Sequence, residues 1–267
     1  MQSHNENSNN DKSYYDRAYY DLHTHIIPGM DDGSDSLEES LEMIRQMREQ
    51  GVLNIVATPH YPDGQSEKIN DAFILLKEKV NELYPDMKLY LGNEILNGPG
   101  IIDALKNKKA LTIADTKYIL VEFLPGDSAK KIYAALREYI MEGYIPIVAH
   151  IERYEKLYKN YDFLDELINM GAYIQMNTES IVGGLFDRHA AYCRKLLMNG
   201  YVHFLGSDCH GANRRKPLMK DAIEKLKLEF VNSSLAEKIL FENPIKILRN
   251  HNIFVFKGFH SCRYGVD

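Results

Sequence analysis

The feature that most constrains this chain is an alternation. Short apolar runs rich in β-branched and aromatic residues take turns with amphipathic helical patterns from Tyr19 to His210. The runs are Tyr19–His25, Val52–Thr58, Lys88–Gly92, Tyr118–Val121, Ile145–Ala149, Ala172–Met176 and Tyr201–Gly206. Leu37, Leu41, Ile44 and Met47 follow the first run at helical spacing, and Gly51 stops that helix. Ser36 and Glu39 read as its capping box. Ile69, Phe73, Leu76, Val80 and Leu83 form one face of a second helix. Further helices are expected near Ile101–Lys106 and over Ala129–Met141, Tyr161–Met170 and Arg188–Met198, with more between 216 and 250. Such β-then-α alternation implies a parallel sheet with helices outside it. Seven units approach the eight of a closed barrel.

The chemistry sits where the runs stop. His23 and His25, His60, Glu94, Glu122, His150, and Asp208 with His210 all lie at run ends. On a strand, positions i and i+2 share a face, so His23 and His25 can aim two imidazoles at one point. In a parallel barrel all the strand ends meet on one face. A single His or Glu there is usually a solvated loop residue. Six of seven ends supplying one is another matter, because buried ionisable groups are costly unless paired or metal-bound. The set is imidazole and carboxylate without thiolate, which suits Mn, Fe or Zn. It exceeds what one ion uses, so two or three ions are expected. Paired metals favour phosphate-ester hydrolysis. Arg153 and Arg215 follow ligand positions closely and can grip phosphate in a fork.

Composition excludes other classes. The 267-residue chain is 45% hydrophobic, enough for one large core. Its net charge of −6 argues against a nucleic-acid footprint. No apolar run approaches the ~18 residues that span a bilayer. Three scattered cysteines imply no disulfide framework and a reducing compartment, so the cytoplasm is expected. Residues 1–13, polar and without an apolar stretch, read as a disordered leader, 14–252 as the barrel and 253–267 as a tail.

One motif competes. Cys209 precedes Arg215 by six residues, the spacing of cysteine-based phosphatases. Asp208 beside it would raise the thiol pKa rather than lower it. Cys209 therefore reads as a small residue between two ligands.

The pattern Asp21-Leu22-His23-Thr24-His25, Thr58-Pro59-His60, Gly92-Asn93-Glu94, Tyr118–Phe123, Val148–Arg153 and Ser207–His210 resembles the polymerase-and-histidinol-phosphatase superfamily. Within it, the chain is similar to manganese-dependent bacterial protein-tyrosine phosphatases of the capsule and exopolysaccharide type. The likeness runs from about Tyr19 to about Asn252. It implies a distorted (β/α)7 TIM-like barrel with a trinuclear manganese site. His23, His25, Glu94 and Asp208 would hold one ion, and Glu94 would bridge to a second held with Glu122 and His150. Asp32, His60 and His210 would hold the third, with Asp31 the rival to Asp32. Arg153 and Arg215 would hold the phosphate. Two departures stand out: the polar leader, and Ile151 where the family places proline. The implied substrate is a phosphotyrosine protein, a bacterial tyrosine kinase tail. A small-molecule phosphatase such as histidinol-phosphate phosphatase is the alternative enzyme, and a non-catalytic metal-bound scaffold is the alternative of another class.

Overall fold

The structure, a computed structural model, describes residues 18–61, 66–184, 186–229 and 234–253. The expected leader and nearly all of the expected tail lie outside the described residues. Strands β1 (Tyr19–Thr24), β2 (Val52–Ala57) and β4 (Lys88–Leu91) form one parallel sheet. Strands β3 (His60–Tyr61), β5 (Glu94–Leu96), β6 (Tyr118–Glu122), β7 (Ile145–Val148), β8 (Tyr173–Asn177) and β9 (Phe204–Gly206) form a second, also parallel.

These nine segments are seven barrel strands. β2 and β3 are one strand interrupted at Thr58-Pro59, because proline has no N–H to give the ladder. β4 and β5 are interrupted alongside, at Gly92-Asn93. The Asn93 carboxamide fills the break, donating to the Pro59 carbonyl at 2.8 Å and accepting from Leu111 N at 2.8 Å. The barrel closes where β1 meets the stretch after β9. Thr24 bridges Cys209 in parallel, His25 N donates to Cys209 O at 3.0 Å, and Asp208 N donates to His23 O at 2.8 Å. The fold is thus the expected distorted (β/α)7 barrel.

A bulge shapes the first strand. Asp21 pairs with Ile55 but Thr24 with Ala57, so three residues of β1 advance against two of β2. The Asp21 carboxylate absorbs the irregularity, accepting from Ser207 N at 2.9 Å and His23 N at 3.3 Å. An unpaired buried amide costs about 1–3 kcal/mol, so this buried side chain is part of how β1 and β9 can join.

The helices follow the apolar periodicity. Helix α1 (Leu37–Glu49) is capped by Ser36, whose Oγ accepts from Glu39 N at 3.2 Å. The reciprocal arm of the box differs from expectation. Glu39 accepts from Asp35 N at 3.1 Å and spends its other oxygen on Ala212 N at 3.2 Å, tying α1 to the loop after His210. Helices α2 (Ser66–Leu83), α3 (Ile101–Lys106), α4 (Ala129–Met141), α5 (Glu155–Tyr158), α6 (Tyr161–Met170) and α7 (Arg188–Met198) come next. Ser128, Asn160 and Asp187 cap α4, α6 and α7 with side-chain oxygens. The last run shrinks to Phe204–Gly206, because Tyr201 N still bonds to Leu196 O at the end of α7.

Two apolar layers result. The outer one packs helix residues such as Ile44, Leu76, Leu136, Leu164 and Leu196 on the sheet. The inner one fills the barrel with Leu22, Val56, Leu120, Ile147 and Phe204, and Ile247 and Ile253 join it. Fully burying one such side chain contributes roughly 1.5–3 kcal/mol. That closes one end of the barrel and leaves the other for polar groups.

Candidate metal centre

Every predicted ligand converges at the C-terminal ends of the strands. His23 Nε2 and His25 Nε2 face each other at 3.2 Å. Between them lie Glu94 Oε2, at 3.1 and 3.3 Å, and Asp208 Oδ1, at 3.5 and 3.4 Å. All four residues are buried. Close backbone approach makes room for this pair. A Cβ on Gly33 would lie 2.3 Å from His25 O, and one on Gly206 2.6 Å from the His23 Cβ, so neither site accepts a side chain.

A second set surrounds the other oxygen of Glu94. His150 Nε2 lies 2.7 Å from Glu94 Oε1 and 3.4 Å from Glu122 Oε1. A third set faces outward: Asp32 Oδ1 lies 3.4 Å from His60 Nε2 and 3.2 Å from His210 Nε2. Asp32 is 63% exposed, so this set forms the open side. His60 borders two sets, since its Nδ1 is 3.2 Å from Glu94 Oε2.

Asp31 does different work from Asp32. Its carboxylate pairs with His25 Nδ1 at 2.6 Å and accepts from His60 N and Gly33 N at 3.0 Å each. It fixes the ring whose other nitrogen points into the cluster, the usual task of a residue behind a metal ligand.

Three polar side chains escaped the sequence reading. Asn177 ends the one strand for which the sequence supplies no candidate ligand. Its Nδ2 donates to Asp208 Oδ2 at 2.8 Å. Gln175 Oε1 accepts from His150 N at 2.6 Å and sits 3.4 Å from His23 Nδ1. Glu152, buried, accepts from Asn177 N and the Ser180 hydroxyl at 3.0 Å each. The detectable signal was Gln175-x-Asn177, a polar i, i+2 pair inside an apolar strand.

Arg153 and Arg215 both reach Asp208. Arg153 Nη2 pairs with Oδ2, and Arg215 Nη2 lies 2.8 Å from the same oxygen. Their side chains are 42% and 36% exposed, so both guanidinium groups border solvent at the barrel mouth. Backbone strain occurs here too. His150 and Asp208 hold φ of +30° and +51°, conformations costing on the order of 1–3 kcal/mol that persist where the surroundings over-determine them.

Electrostatics show what the cluster wants. Burial works to raise the Glu94 carboxyl, but the imidazoles of His23, His150 and His25 outweigh it and hold it well below the usual range. Burial likewise opposes ionisation of Asp208, and His23 and His25 overcome it. Burial would strip the proton from His150, yet hydrogen bonds to Glu122 and Glu94 push it up to about 9. Positive charge is therefore drawn among these carboxylates. Divalent cations compete with protons for the same imidazole lone pairs, and metal binding displaces those protons. The donor set of facing nitrogens and interposed carboxylate oxygens fits such ions. His25, Asp32, His60 and His210; His23, His25, Glu94 and Asp208; and His60, Glu94 and Glu122 each bring ligand atoms within 4.8 Å of one another.

Cys209 has no part in the cluster. Its side chain is fully buried in the outer apolar layer, and burial together with the Asp21 charge pushes its thiol well above the ordinary range. A reactive thiolate needs the opposite surroundings.

The chain is similar to known proteins over most of its length. A family model described as capsular polysaccharide synthesis, CpsB/CapC, matches residues 19–249. Tyrosine-protein phosphatase CpsB of Streptococcus agalactiae serotype III is 35% identical over 241 residues, 87% of this chain and 99% of the relative. Tyrosine-protein phosphatase YwqE of Bacillus subtilis is 33% identical over 239 residues, 87% of this chain and 92% of the relative. A crystal structure from work on YwqE of Bacillus subtilis and CpsB of Streptococcus pneumoniae, described there as unique metal-dependent tyrosine phosphatases, superposes with a TM-score of 0.80 at 31% identity, covering 88% of this chain and 96% of that one. The phosphotriesterase of Mycobacterium tuberculosis shares the fold alone, with a TM-score of 0.57 at 13% identity over 89% of this chain and 95% of that one. A barrel with these candidate ligands at its strand ends, matched over residues 19–249, belongs to the CpsB/CapC family of capsular polysaccharide synthesis.

Proposed function

We propose that this protein is a metal-dependent phosphomonoesterase that hydrolyses phosphotyrosine in proteins. The observation that carries the reading is the meeting of His23, His25, Glu94 and Asp208 with Arg153 and Arg215 at one barrel mouth. The names of the relatives support the tyrosine preference.

His23, His25, Glu94 and Asp208 would hold one ion, Glu94, Glu122 and His150 a second, and Asp32, His60 and His210 a third. Manganese is the proposed ion, and the donors also accommodate iron or zinc. Bound divalent ions would supply Lewis acidity, lowering the pKa of coordinated water and offsetting charge that develops on phosphoryl oxygens.

The chain's own residues do the rest. Arg153 and Arg215 present planar donors from the solvent side and bind two phosphoryl oxygens in a fork. Asp31 orients His25, Asn177 orients Asp208, and Gln175 spans His23 and the His150 backbone. Each leaves the opposite atom aimed into the cluster. The proposed physiological substrate is the tail of a bacterial tyrosine kinase, and the proposed place is the cytoplasm. No described helix is long and apolar enough to cross a membrane.

The test is hydrolysis of a phosphotyrosine peptide by the metal-loaded protein. Chelation is expected to abolish it and added Mn²⁺ to restore it, while Cys209→Ser keeps most of the activity. Loss of activity in Cys209→Ser with no effect of chelation would replace this reading with a cysteine mechanism.

A further inference from the structure

Beside the centre lies a pocket of about 580 Å³. That is within the ~300–1,000 Å³ of typical ligand sites. Arg153 belongs to both places, lining the pocket and pairing with Asp208. Buried Tyr158 and half-buried Tyr192 form an aromatic wall, rings edge-to-face with centroids 5.2 Å apart. Exposed Lys159 and Arg188 supply two more cations. Lys159 Nζ lies 5.4 Å from the Tyr158 ring centre. Arg188 has no ion-pair partner among the described residues. The remaining lining residues are His189, whose Nδ1 is 3.4 Å from the Tyr158 hydroxyl, and Glu152. Glu152 is the one carboxylate in the lining, and its Oε1 is already held by Asn177 N and Ser180.

Besides Arg153, which is paired with Asp208, two further cations line the recess with one engaged carboxylate, in a protein whose net charge is −6. A recess that gathers one sign of charge raises the local concentration of the opposite sign. Arg153, shared by both, joins the metal centre to this recess. We propose that the pocket is a specificity subsite that receives an anionic side chain, a carboxylate or a phosphate ester, close in sequence to the phosphotyrosine of a protein substrate. Arg188 and Lys159 hold the anion, and the Tyr158–Tyr192 wall packs on its stem. This rests on the phosphotyrosine reading of the centre.

The experiment uses metal-loaded full-length protein and four substrates. Three are one phosphotyrosine peptide carrying Gln, Glu or phosphoserine beside the phosphotyrosine, and the fourth is free phosphotyrosine. The wild type should prefer the Glu and phosphoserine peptides over the Gln peptide by about five- to tenfold in kcat/KM, through KM, as expected for two exposed ion pairs. The Glu and phosphoserine arms separate the two anion sources. Lys159→Ala/Arg188→Ala should remove the preference and hydrolyse free phosphotyrosine as the wild type does. Equal wild-type kcat/KM on all three peptides overturns the subsite. So does an equal loss by the variant on every substrate, because that loss lies in the centre. If no substrate is hydrolysed, the phosphatase reading has failed separately. Fluorescence anisotropy with labelled phosphonomethyl-phenylalanine forms of the Gln and Glu peptides then decides the subsite. Tighter wild-type binding of the Glu peptide, lost in the double variant, upholds it, and equal binding overturns it.

Discussion

The two ends of the barrel both bury polar side chains, and they treat them in opposite ways. At the closed end, Tyr118 donates to His251 O and Tyr173 to Ile253 O at 2.7 Å each, and Asn243 donates to His203 O at 3.0 Å. Those pairs are neutral and complete within the chain. His203 is buried there with no carboxylate beside it, accepting from Ile174 N at 3.1 Å, and burial alone pushes its pKa down to about 4. At the open end, His25 is equally buried but bonded to Asp208, Asp31 and Glu94. Burial works against its charge, and those carboxylates raise its pKa well above the ordinary value. A buried histidine among apolar rings is core. A buried histidine among carboxylates, with its second nitrogen aimed at a shared point, is a place for a cation.

The largest effect is expected at Glu94, which belongs to two candidate ligand sets. Glu94→Ala should lower bound metal most and cut hydrolysis by about 10³-fold or more, more than loss of a single oriented donor. His60→Ala should lower metal less. Asn177→Ala, which only frees Asp208 to turn, should cost about 10–100-fold in metal affinity. Elemental analysis of the three proteins checks the order, and equal metal in all of them would remove the distinction between ligand and orienting residue.

His203 sharpens the other side, with a smaller effect. Its folded pKa lies below the unfolded value of about 6.5. The unfolded chain therefore binds more protons between those values, and stability falls as pH drops from 6.5 toward 4. The shift corresponds to roughly 3 kcal/mol once both states are protonated. His203→Gln should flatten that part of the stability-against-pH curve, measured by denaturant unfolding with chelator present in both proteins. A parallel curve would mean that His203 is not held neutral by its surroundings.

Much of this was legible in the sequence because it is periodic. The helices at Ala129–Met141, Tyr161–Met170 and Arg188–Met198 fall where the alternation places them. The candidate ligands were legible because they repeat at strand ends. What stayed hidden depends on contacts between distant residues. Asp31 and Asp32 are adjacent, and only the turn of the loop shows that one holds His25 while the other faces His60 and His210. The split of two strands follows from Pro59 and from Asn93 reaching across to it, a tertiary contact. Asn177 looked like a strand end without chemistry because its partner, Asp208, lies 31 residues away. Glu39 completes no capping box because one of its oxygens accepts from Asp35 N and the other from Ala212 N in the loop after His210.

On the metal-centre reading, the open end of the barrel is completed by cations and the closed end is not. The most direct measurement is metal stoichiometry in chelated protein dialysed against Mn²⁺, with thermal unfolding recorded before and after. Two or three ions per chain and a raised Tm are predicted, with Glu94→Ala losing ions and His203→Gln keeping them. A folded wild-type protein that binds no stoichiometric ion, with Tm unchanged, would contradict the account.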